Sequence, residues 1–248
     1  MRQQPAVVRR RSNRPSCRRR PRVAVLATGS ELVAPGEPLQ PGQIYEANGL
    51  MLASALSTTG AEIVIEPSVA DDEAALREAL ERGLATDVLV TSGGVSVGEH
   101  DLVRAVEREL GVEEVFWRVS IKPGKPVSFG VRGDTLVFGL PGNPVSALVG
   151  CELFVKPALR ALQGLADPLP RFEPGRLSVG LRCNEERDEF VRARSRTGAD
   201  AVMLEPVVGQ ESHMIVHAGA ADALVHIPRG NGELAAGSTV QWLRLGAC

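Results

Sequence analysis

Three carboxylates follow short apolar runs, where they could bind a metal ion beside a ligand. Glu31 comes after a β-branched run, and Asp71 and Asp101 come after two later runs. Carboxylate oxygens are hard ligands, and Mg²⁺ is the usual ion where they converge over a phosphate. An acid at a helix start also stabilises the helix dipole, which is a second explanation for Asp71. Glu31 and Asp101 lie among glycines, so we predict a magnesium site that includes both of them and Asp71.

Small residues and hydroxyls form three segments at the ends of predicted strands: 28–31 (TGSE), 91–101 (TSGGVSVGEHD) and 139–146 (GLPGNPVS). Such segments let a ligand approach the backbone closely, and their N–H groups can donate to anionic oxygen. Pro144 suits a first helical turn, so the free N–H groups after it and Ser146 can face a phosphate. A tight turn explains any one segment, but three at one end of a sheet favour a ligand site. The candidate binding residues are Thr28, Gly29, Ser92, Gly93, Gly94, Ser96, Gly98, Gly142, Asn143 and Ser146.

Lysine is rare in this chain, and two of its three lysines lie close together. Lys122 and Lys125 belong to the segment 121–126 (IKPGKP). The prolines on either side stiffen this segment, so it can hold both ammonium groups toward phosphate oxygens. The alternative is a solvated turn without a ligand.

Three short motifs that suggest other chemistry fail on their context. The segment 94–98 fits G-x-S-x-G, but Ser96 does not follow its strand directly, and the sequence has no oxyanion loop of the hydrolase type. The dipeptide 124–125 is followed by proline, so it is no phosphate-binding P-loop. His213 and His217 are spaced for zinc on a helix, yet the local pattern is strand-like, and we interpret them as surface or packing residues.

The chain joins a basic arm to an acidic body. It has 248 residues with 28 Lys and Arg against 30 Asp and Glu, and nine of the arginines lie in residues 1–22 without any acid. The arm has no apolar signal region, its prolines break an amphipathic transit helix, and it has no aromatic residue for base stacking. We therefore predict a disordered arm or linker stub over 1–21, no nucleic-acid partner, and a body with a net charge of −11.

Cysteine usage and hydropathy indicate the redox compartment of the protein and whether it meets a membrane. The four cysteines lie far apart with no C-x-x-C pair, which argues against a zinc cluster and a disulfide framework. This usage is typical of a reducing compartment, and we predict a cytoplasmic protein. No apolar run approaches the ~20 residues that a bilayer span requires, so we expect no membrane partner.

The elements that must position these residues alternate between strand and helix. Strands are predicted at 22–27, 61–66, 87–91, 115–121, 127–131 and 135–140, and helices at 45–59, 74–82, 101–110 and 145–164. Alternation at this spacing predicts an α/β fold, a three-layer domain with a mainly parallel sheet over 22–166. In such sheets ligands bind at the carboxyl ends of the strands, where the three small-residue segments are expected.

A different pattern begins after a proline-rich linker. Short apolar segments separated by turn residues lie at 176–182, 190–194, 201–206, 223–227 and 239–245, without a helical period. This pattern predicts a small all-β domain, a sandwich or a barrel, over 174–248.

Five ordered motifs resemble the molybdopterin molybdenumtransferases, which are related to the E domain of gephyrin. The motifs are 28–32 (TGSEL), 43–48 (QIYEAN), 91–101, 121–126 and 139–146, and the segment 209–214 (GQESHM) resembles the family's C-terminal β domain. The resemblance covers about residues 20–248. It implies an α/β domain of the molybdopterin-binding type followed by that β domain.

The resemblance also implies an activity and its site residues. Members insert molybdate into adenylylated molybdopterin, hydrolyse the adenylyl phosphoanhydride and release AMP, and they require a divalent metal, usually Mg²⁺. By motif position the functional residues are the carboxylates Glu31, Asp71 and Asp101, the lysine Lys122 and the prolines Pro141 and Pro144. We expect Asn48, in the second motif, and Lys125, in the fourth, to bind the pterin as well.

The chain departs from the family in three respects. Ser30 stands where many members have Asp, and Arg118 where some have Lys. The family has two further domains ahead of the first strand, which help to build a dimer and complete the cleft, and here we find only the basic arm. We therefore expect a homodimer or an association with other cofactor-synthesis proteins. Three hypotheses stay open: a molybdenumtransferase, a molybdopterin-binding fragment that cannot insert metal, and a molybdopterin adenylyltransferase.

Overall fold

A six-stranded sheet forms the first part of the molecule. The computed structural model describes residues 17–70, 72–94, 102–198 and 200–246. Strands β1 to β9 span Arg22–Ala27, Leu32–Val33, Ile44–Tyr45, Glu62–Ile65, Val88–Ser92, Glu113–Trp117, Ile121–Lys122, Ser128–Arg132 and Thr135–Leu140. Six of them pair in the order β4-β1-β5-β9-β8-β6, and β8 runs against the other five described strands. The prediction of a mainly parallel sheet is confirmed.

Helices cover both faces of this sheet and make the predicted three layers. Helices α1, α2 and α3 span Asn48–Ser57, Glu73–Gly83 and Leu102–Glu109. In β1, Val23 and Val25 pack in a cluster with α1, whereas Ala24 and Leu26 pack in a cluster with α2 and α3. Because side chains alternate along a strand, a strand that is buried on both faces needs a continuous apolar run.

The helical segment after β9 contains a π-helical turn, where the pattern predicted one regular helix over 145–164. Helix α4 spans Pro144–Gly150, the π-turn Cys151–Val155, and α5 Lys156–Leu162. The Lys156 N–H donates to the Cys151 carbonyl, one residue further back than in an α-helix. Pro157 supplies no N–H, and its ring clashes with the carbonyl four residues back in a regular helix, so the wider turn accommodates it.

The C-terminal strands close into a barrel. Strands β10 to β16 span Glu173–Leu177, Leu181–Arg182, Asp188–Thr197, Val202–Pro206, Ala223–Ile227, Glu233–Leu234 and Thr239–Arg244, and α6 spans Ile215–Ala218. The strands β13, β10, β16, β14 and β12 pair in turn, and β12 also pairs with β13, which closes the ring. Of the two architectures left open, the structure has the barrel. The ladder β2–β3, the strand β15 and the helix α6 were not predicted, because elements this short carry no periodicity. The segment predicted over 176–182 contains the end of β10 and the separate strand β11.

The chain between β6 and β8 leaves the first sheet. The pattern predicted one strand over 115–121, but β6 ends at Trp117 and β7 is a separate strand. Arg118 has a φ of 71°, a left-handed conformation that ends an extended strand. Strand β7 then pairs in parallel with β12 of the barrel. The lysine segment therefore lies where the two sheets meet.

Residues 17–22 enter the first sheet at the end opposite to the carboxyl ends of its parallel strands. The Asp87 carboxylate accepts hydrogen bonds from the Arg19 guanidinium and from the Arg22 N–H, the latter at 2.8 Å. The hydrogen bond from Arg19 lowers the pKa of Asp87. The start of the described chain is thus fixed away from the predicted site.

Asp87→Asn should flatten the acid dependence of stability. A carboxylate whose pKa is lowered by folding stabilises fully above its unfolded value, about 3.9, and this contribution is lost as pH falls through the folded pKa. The urea midpoint of the parent chain should therefore fall more steeply below about pH 4 than that of the variant. Asp134→Asn, at an exposed acid in the turn between β8 and β9, is the control. Equal slopes for the parent chain and Asp87→Asn would contradict this role.

None of the described helices is long and apolar enough to cross a membrane. Cys17, Cys151 and Cys183 are free thiols. Burial raises the pKa of the Cys151 thiol, so this sulfur stays protonated and is no nucleophile at neutral pH.

Candidate functional site

Three strand ends lie side by side and are joined by backbone hydrogen bonds. Strands β1, β5 and β9 are adjacent and parallel, so their carboxyl ends meet. The Thr28 N–H donates to the Ser92 carbonyl at 2.9 Å, and the Gly93 N–H donates to the Leu140 carbonyl at 3.2 Å. The three small-residue segments therefore start from one end of the sheet.

Glycines let these segments come into close contact. Gly93 has a φ of +96°, and a Cβ atom there would lie 2.2 Å from the Thr28 carbonyl oxygen. Gly94 has a φ of +66°, and its Cβ would lie 2.2 Å from a methyl group of Val103 in α3. A Cβ on Gly142 would lie 3.5 Å from the Gly93 Cα, which is an ordinary contact. Positions 93 and 94 therefore require glycine, and the close backbone packing follows from them.

Asn48 fastens the second and third segments to the start of α1. Its Nδ2 donates to the Ser92 Oγ at 2.9 Å and to the Gly142 carbonyl at 2.7 Å. The Ser92 hydroxyl donates to the Pro141 carbonyl at 3.3 Å. In this structure the donors of Asn48 and Ser92 thus join the segments to one another, and their contact with a ligand stays a prediction.

Thr28 carries a buried hydroxyl that has no hydrogen-bond partner in the described part of the chain. The residue is 5% exposed, and its Oγ1 would lie 3.1 Å from a Cβ on Gly93 or Gly94. Buried hydroxyls are normally hydrogen-bonded, so an orphan hydroxyl at a candidate site indicates a group that a ligand or an ordered water satisfies. This observation supports the prediction that Thr28 contacts the ligand.

The structure describes one of the three predicted metal ligands, Glu31. Its exposed carboxylate folds back over Gly29, and the Oε2 atom would lie 2.6 Å from a Cβ on that glycine. Among the described residues no three His, Cys, Asp or Glu side chains form a group that could hold a metal. The predicted site residues that lie outside the described ranges are Asp71, Ser96, Gly98 and Asp101.

The start of α2 is capped by Asp72. This residue is the N-cap, and its carboxylate accepts the Ala75 N–H at 2.8 Å. The Gly29 N–H donates to the Val69 carbonyl at 3.0 Å, so the chain that leads to Asp71 runs beside the first segment. Asp72 thus caps the helix, and the metal-ligand role of Asp71, which lies outside the described ranges, stays a prediction.

The two lysines of the segment 121–126 differ in their surroundings. The Lys122 Nζ lies 3.1 Å from the Glu189 Oε1 of β12. Lys125 is exposed and has no ion-pair partner within the described ranges. A Cβ on Gly124 would lie 3.5 Å from the Ser146 carbonyl oxygen, so this segment adjoins the start of α4. The Lys122 ammonium group is thus paired with a carboxylate, whereas the Lys125 ammonium group is open to solvent.

The N–H groups at the start of α4 are not all free, which corrects the sequence prediction. The Val145 N–H donates to the Ser212 carbonyl at 3.0 Å, and the Ser146 side chain is buried. Asn143 precedes Pro144, the first helical residue, and makes no side-chain cap. A segment of the barrel therefore occupies one position that we expected to face a phosphate.

Arg192, which sequence reasoning missed, holds that barrel segment in place. Its buried guanidinium donates to the carbonyls of Gly209, Glu211 and Met214 at 2.8, 3.3 and 3.2 Å. The Gln210 side chain exchanges two hydrogen bonds with the Arg192 backbone. Burial lowers the pKa of Arg192, but a guanidinium stays charged. No sequence signal marks this residue, because arginine is frequent in the chain.

An aromatic contact with two arginines was also missed. The guanidinium carbons of Arg104 and Arg118 lie 4.0 Å and 3.8 Å from the centroid of the Trp117 ring. Such cation–π contacts hold both charges beside the end of β6. The guanidinium group of Arg118 thus lies against the ring of its neighbour Trp117. The sequence places Trp117 directly before Arg118, and this was a signal from which the contact could have been predicted.

His213 and His217 do not lie in a strand, so the strand-like interpretation is wrong. His213 precedes α6 in a turn, and His217 belongs to α6. Four residues of helix are too few for a detectable period.

Comparisons with known proteins agree with this arrangement. Residues 24–161 match the family described as the probable molybdopterin binding domain, and residues 174–245 match the MoeA C-terminal region, domain IV. The chain is 39% identical over 230 residues to molybdopterin molybdenumtransferase 2 of Mycobacterium tuberculosis. It is 34% identical over 233 residues to the molybdopterin molybdenumtransferase of a Nostoc species. These matches cover 90% and 92% of this chain but 56% and 53% of the relatives.

A solved structure has the same fold. The molybdopterin biosynthesis MoeA protein of Pyrococcus horikoshii matches with a TM-score of 0.79 and 32% identity, over 93% of this chain and 56% of that one. The chain thus spans about half the length of the relatives that it matches. It belongs to the family of proteins that carry the molybdopterin-binding domain, here followed by the MoeA C-terminal region.

Proposed function

We propose that the chain acts in molybdenum cofactor biosynthesis. It binds adenylylated molybdopterin at the carboxyl ends of β1, β5 and β9 and serves the insertion of molybdate with release of AMP. The observation that carries this proposal is the contact of Gly93 with the Thr28 backbone, which builds a narrow cradle where the family's motifs meet. The relatives are named molybdopterin molybdenumtransferases, which supports a role in the transfer of molybdenum to molybdopterin. An adenylyltransferase is not favoured, because the family match continues through the barrel.

In this proposal the segments bind the phosphates of the pterin ligand. Backbone N–H groups around Gly94 and Gly142 and the Thr28 hydroxyl donate to phosphate oxygens. Lys122 and Lys125 offset the negative charge that develops when the phosphoanhydride is cleaved. A water molecule attacks one of the two phosphorus atoms, and the P–O bond from that atom to the bridging oxygen breaks. The products are AMP and the molybdopterin phosphate, and the proton lost by the water passes to the departing oxygen or to solvent.

The prolines of the third segment shape the site in this proposal. Pro141 is buried directly after β9, and Pro144 is the first residue of α4. Proline fixes its own φ and restricts the residue before it, so Leu140 and Asn143, which precede the two prolines, have few conformations open to them. The turn is thus formed before the ligand arrives.

We propose that Glu31, Asp71 and Asp101 bind the divalent metal, Mg²⁺. The fit is supported by Glu31, whose exposed carboxylate lies beside Gly29 at the end of the sheet and offers the oxygen ligands that Mg²⁺ prefers. When bound, the ion would neutralise charge on the phosphoanhydride.

The setting of the reaction belongs to the proposal as well. The free cysteines support a reducing compartment such as the cytoplasm. We also propose that the chain works as a homodimer or with another cofactor-synthesis protein. We divide it into an arm at 1–21, the molybdopterin-binding domain at 22–166 and the β domain at 174–248.

AMP release tests the proposed function. The purified chain with adenylylated molybdopterin, molybdate and Mg²⁺ should release AMP faster than the same mixture without protein. A second assay adds a full-length relative, which can supply parts of the cleft from a partner. Tight molybdopterin binding without AMP release in either assay would reduce the function to pterin binding. Absence of both would contradict the proposal.

Asp101→Ala should lower metal-dependent AMP release by a factor on the order of 100 and change molybdopterin affinity by less than about threefold. The reason is that this carboxylate is assigned to the metal. Steady-state AMP release at several Mg²⁺ concentrations and a pterin fluorescence titration measure the two effects. Asp134→Ala, at an exposed turn acid, controls for loss of one negative charge. Equal losses of turnover and affinity would contradict the metal role.

A further inference from the structure

Strand β7 brings a carboxylate of the barrel to the lysine segment. In the parallel ladder of β7 and β12, Ile121 pairs with Asp188 and Lys122 pairs with Glu189. Side chains of paired residues project to the same face of a sheet. The Lys122 Nζ lies 3.1 Å from the Glu189 Oε1, and the two side chains are 45% and 18% exposed. The ion pair therefore follows from the register of the ladder.

The surroundings fix the carboxylate more firmly than the lysine. Glu189 lies near the start of β12, a strand of ten residues, and its neighbour Phe190 is buried. Phe190 packs in one cluster with Ile121 of β7 and Val149 of α4. Lys122 belongs to a strand of only two residues, and a loop follows it. Glu189 thus lies in the longer of the two paired strands, beside a buried residue.

The pairing leaves part of the ammonium group available. Within the described ranges, Lys122 and Glu189 have no ion-pair partner except each other. The neighbouring Asp188 is engaged elsewhere, since its Oδ1 accepts the Arg229 N–H at 2.9 Å. An ammonium group has three N–H donors, so Glu189 uses one and leaves two for an anionic ligand. Partly exposed ion pairs contribute little to folding, so stability is a weak reason for this one.

We propose that Glu189 is a positioning residue, which holds the Lys122 ammonium toward the phosphates bound at the carboxyl ends of the sheet. This inference rests on the proposed function, because it requires that Lys122 meets anionic oxygen. The C-terminal barrel thereby takes part in the site through the lysine, without touching the ligand. The Glu189 carboxylate also weakens the attraction of an anion to Lys122. Removal of this carboxylate should therefore change turnover more than the affinity for the ligand.

Lysine-selective NMR tests the positioning role. The chain has three lysines, Lys122, Lys125 and Lys156, so labelling at Nζ and Cε yields three signals. Lys122→Arg and Lys125→Arg assign them. Glu189→Gln should move the Lys122 signal and leave the other two in place. AMP should shift the Lys122 signal of the parent chain, and Glu189→Gln should reduce that shift by about twofold or more.

Kinetics supply the second readout. Glu189→Ala should lower the kcat of AMP release about 10-fold with KM within about twofold of the parent value. Glu189→Gln should retain more activity, because its amide oxygen still accepts a hydrogen bond from the ammonium group. The thermal midpoint should stay unchanged in both variants. Glu186→Gln, at an exposed acid in the bend just before β12, is the control.

The outcomes separate this inference from the function on which it rests. If AMP shifts the Lys122 signal of the parent chain but Glu189→Gln behaves like Glu186→Gln, the positioning role is wrong and the proposed function stands. If neither AMP nor molybdopterin shifts any lysine signal of the folded parent chain, the lysine site is wrong and the positioning role fails with it.

Discussion

Gly93→Ala should lower the free energy of unfolding by about 3 kcal/mol and abolish molybdopterin binding. The glycine has a φ of +96°, which an L-residue rarely adopts, and the new Cβ would lie 2.2 Å from the Thr28 carbonyl oxygen. That oxygen belongs to backbone whose N–H is bonded to Ser92, so it cannot move without disturbing the end of β5. Urea unfolding and a pterin fluorescence titration measure the two effects.

Gly36→Ala separates backbone strain from the close approach. Gly36 has a φ of +98°, but no atom lies within 4 Å of its Cβ position. A left-handed conformation alone costs an L-residue about 1–2 kcal/mol, so this variant should lose no more stability than that and bind the pterin normally. Equal effects of Gly36→Ala and Gly93→Ala on stability and binding would show that the site does not depend on the contact between segments.

Lys156→Met should lower the free energy of unfolding by about 3–5 kcal/mol. The Lys156 Nζ lies 2.5 Å from the Glu152 Oε1, and both side chains are only 6% exposed. Without the lysine, the Glu152 carboxylate remains buried within the π-turn with its partner removed, which is far more costly than the loss of a surface pair. Equilibrium unfolding in guanidinium chloride measures the loss.

The double variant Glu152→Leu with Lys156→Met tests the reason for that loss. Replacing both charges by apolar side chains leaves no buried charge, so its stability should return to within about 1 kcal/mol of the parent chain. A double variant as unstable as Lys156→Met alone would show that packing around the π-turn, and not the orphaned carboxylate, causes the destabilisation.

Periodicity predicted the buried strands well, because burial on both faces leaves a continuous apolar run in the sequence. Strands β1, β9 and β14 have the predicted bounds. The strand predicted over 115–121 ends before Arg118, which has a left-handed backbone and donates its N–H to the Val127 carbonyl at 2.9 Å. The π-turn was also missed, although Pro157 inside a helical pattern is a recognised signal of a break.

The meeting of the three glycine-rich segments could be predicted, because the carboxyl ends of parallel strands share one end of a sheet. The contacts that hold them could not. Asn48 reaches Ser92 and Gly142 across large sequence separations, and the amide pattern alone does not reveal its partners. The partners of Glu189 and Arg192, two residues of the barrel, could not be predicted either. Glu189 pairs with Lys122 of the α/β domain, and Arg192 donates to the carbonyl of Gly209 in a neighbouring loop.

The N–H groups at the start of α4, which we predicted to be free, are a second case in which a partner could not be predicted from the sequence. Pro144 indicated the helix start correctly, but the Ser212 carbonyl that accepts the Val145 N–H lies in the other domain. Sequence reasoning within one segment cannot detect such a partner, since its position depends on how the barrel docks. Three-dimensional packing therefore decides which of the predicted donors remain open to a ligand.

Titration of the purified chain with molybdopterin tests whether the three segments form one pterin site. We expect saturable binding at one site per chain, lost in Gly93→Ala and retained in Gly36→Ala. Binding that is equal in both variants, or absent from the folded parent chain, would contradict the assignment of the site.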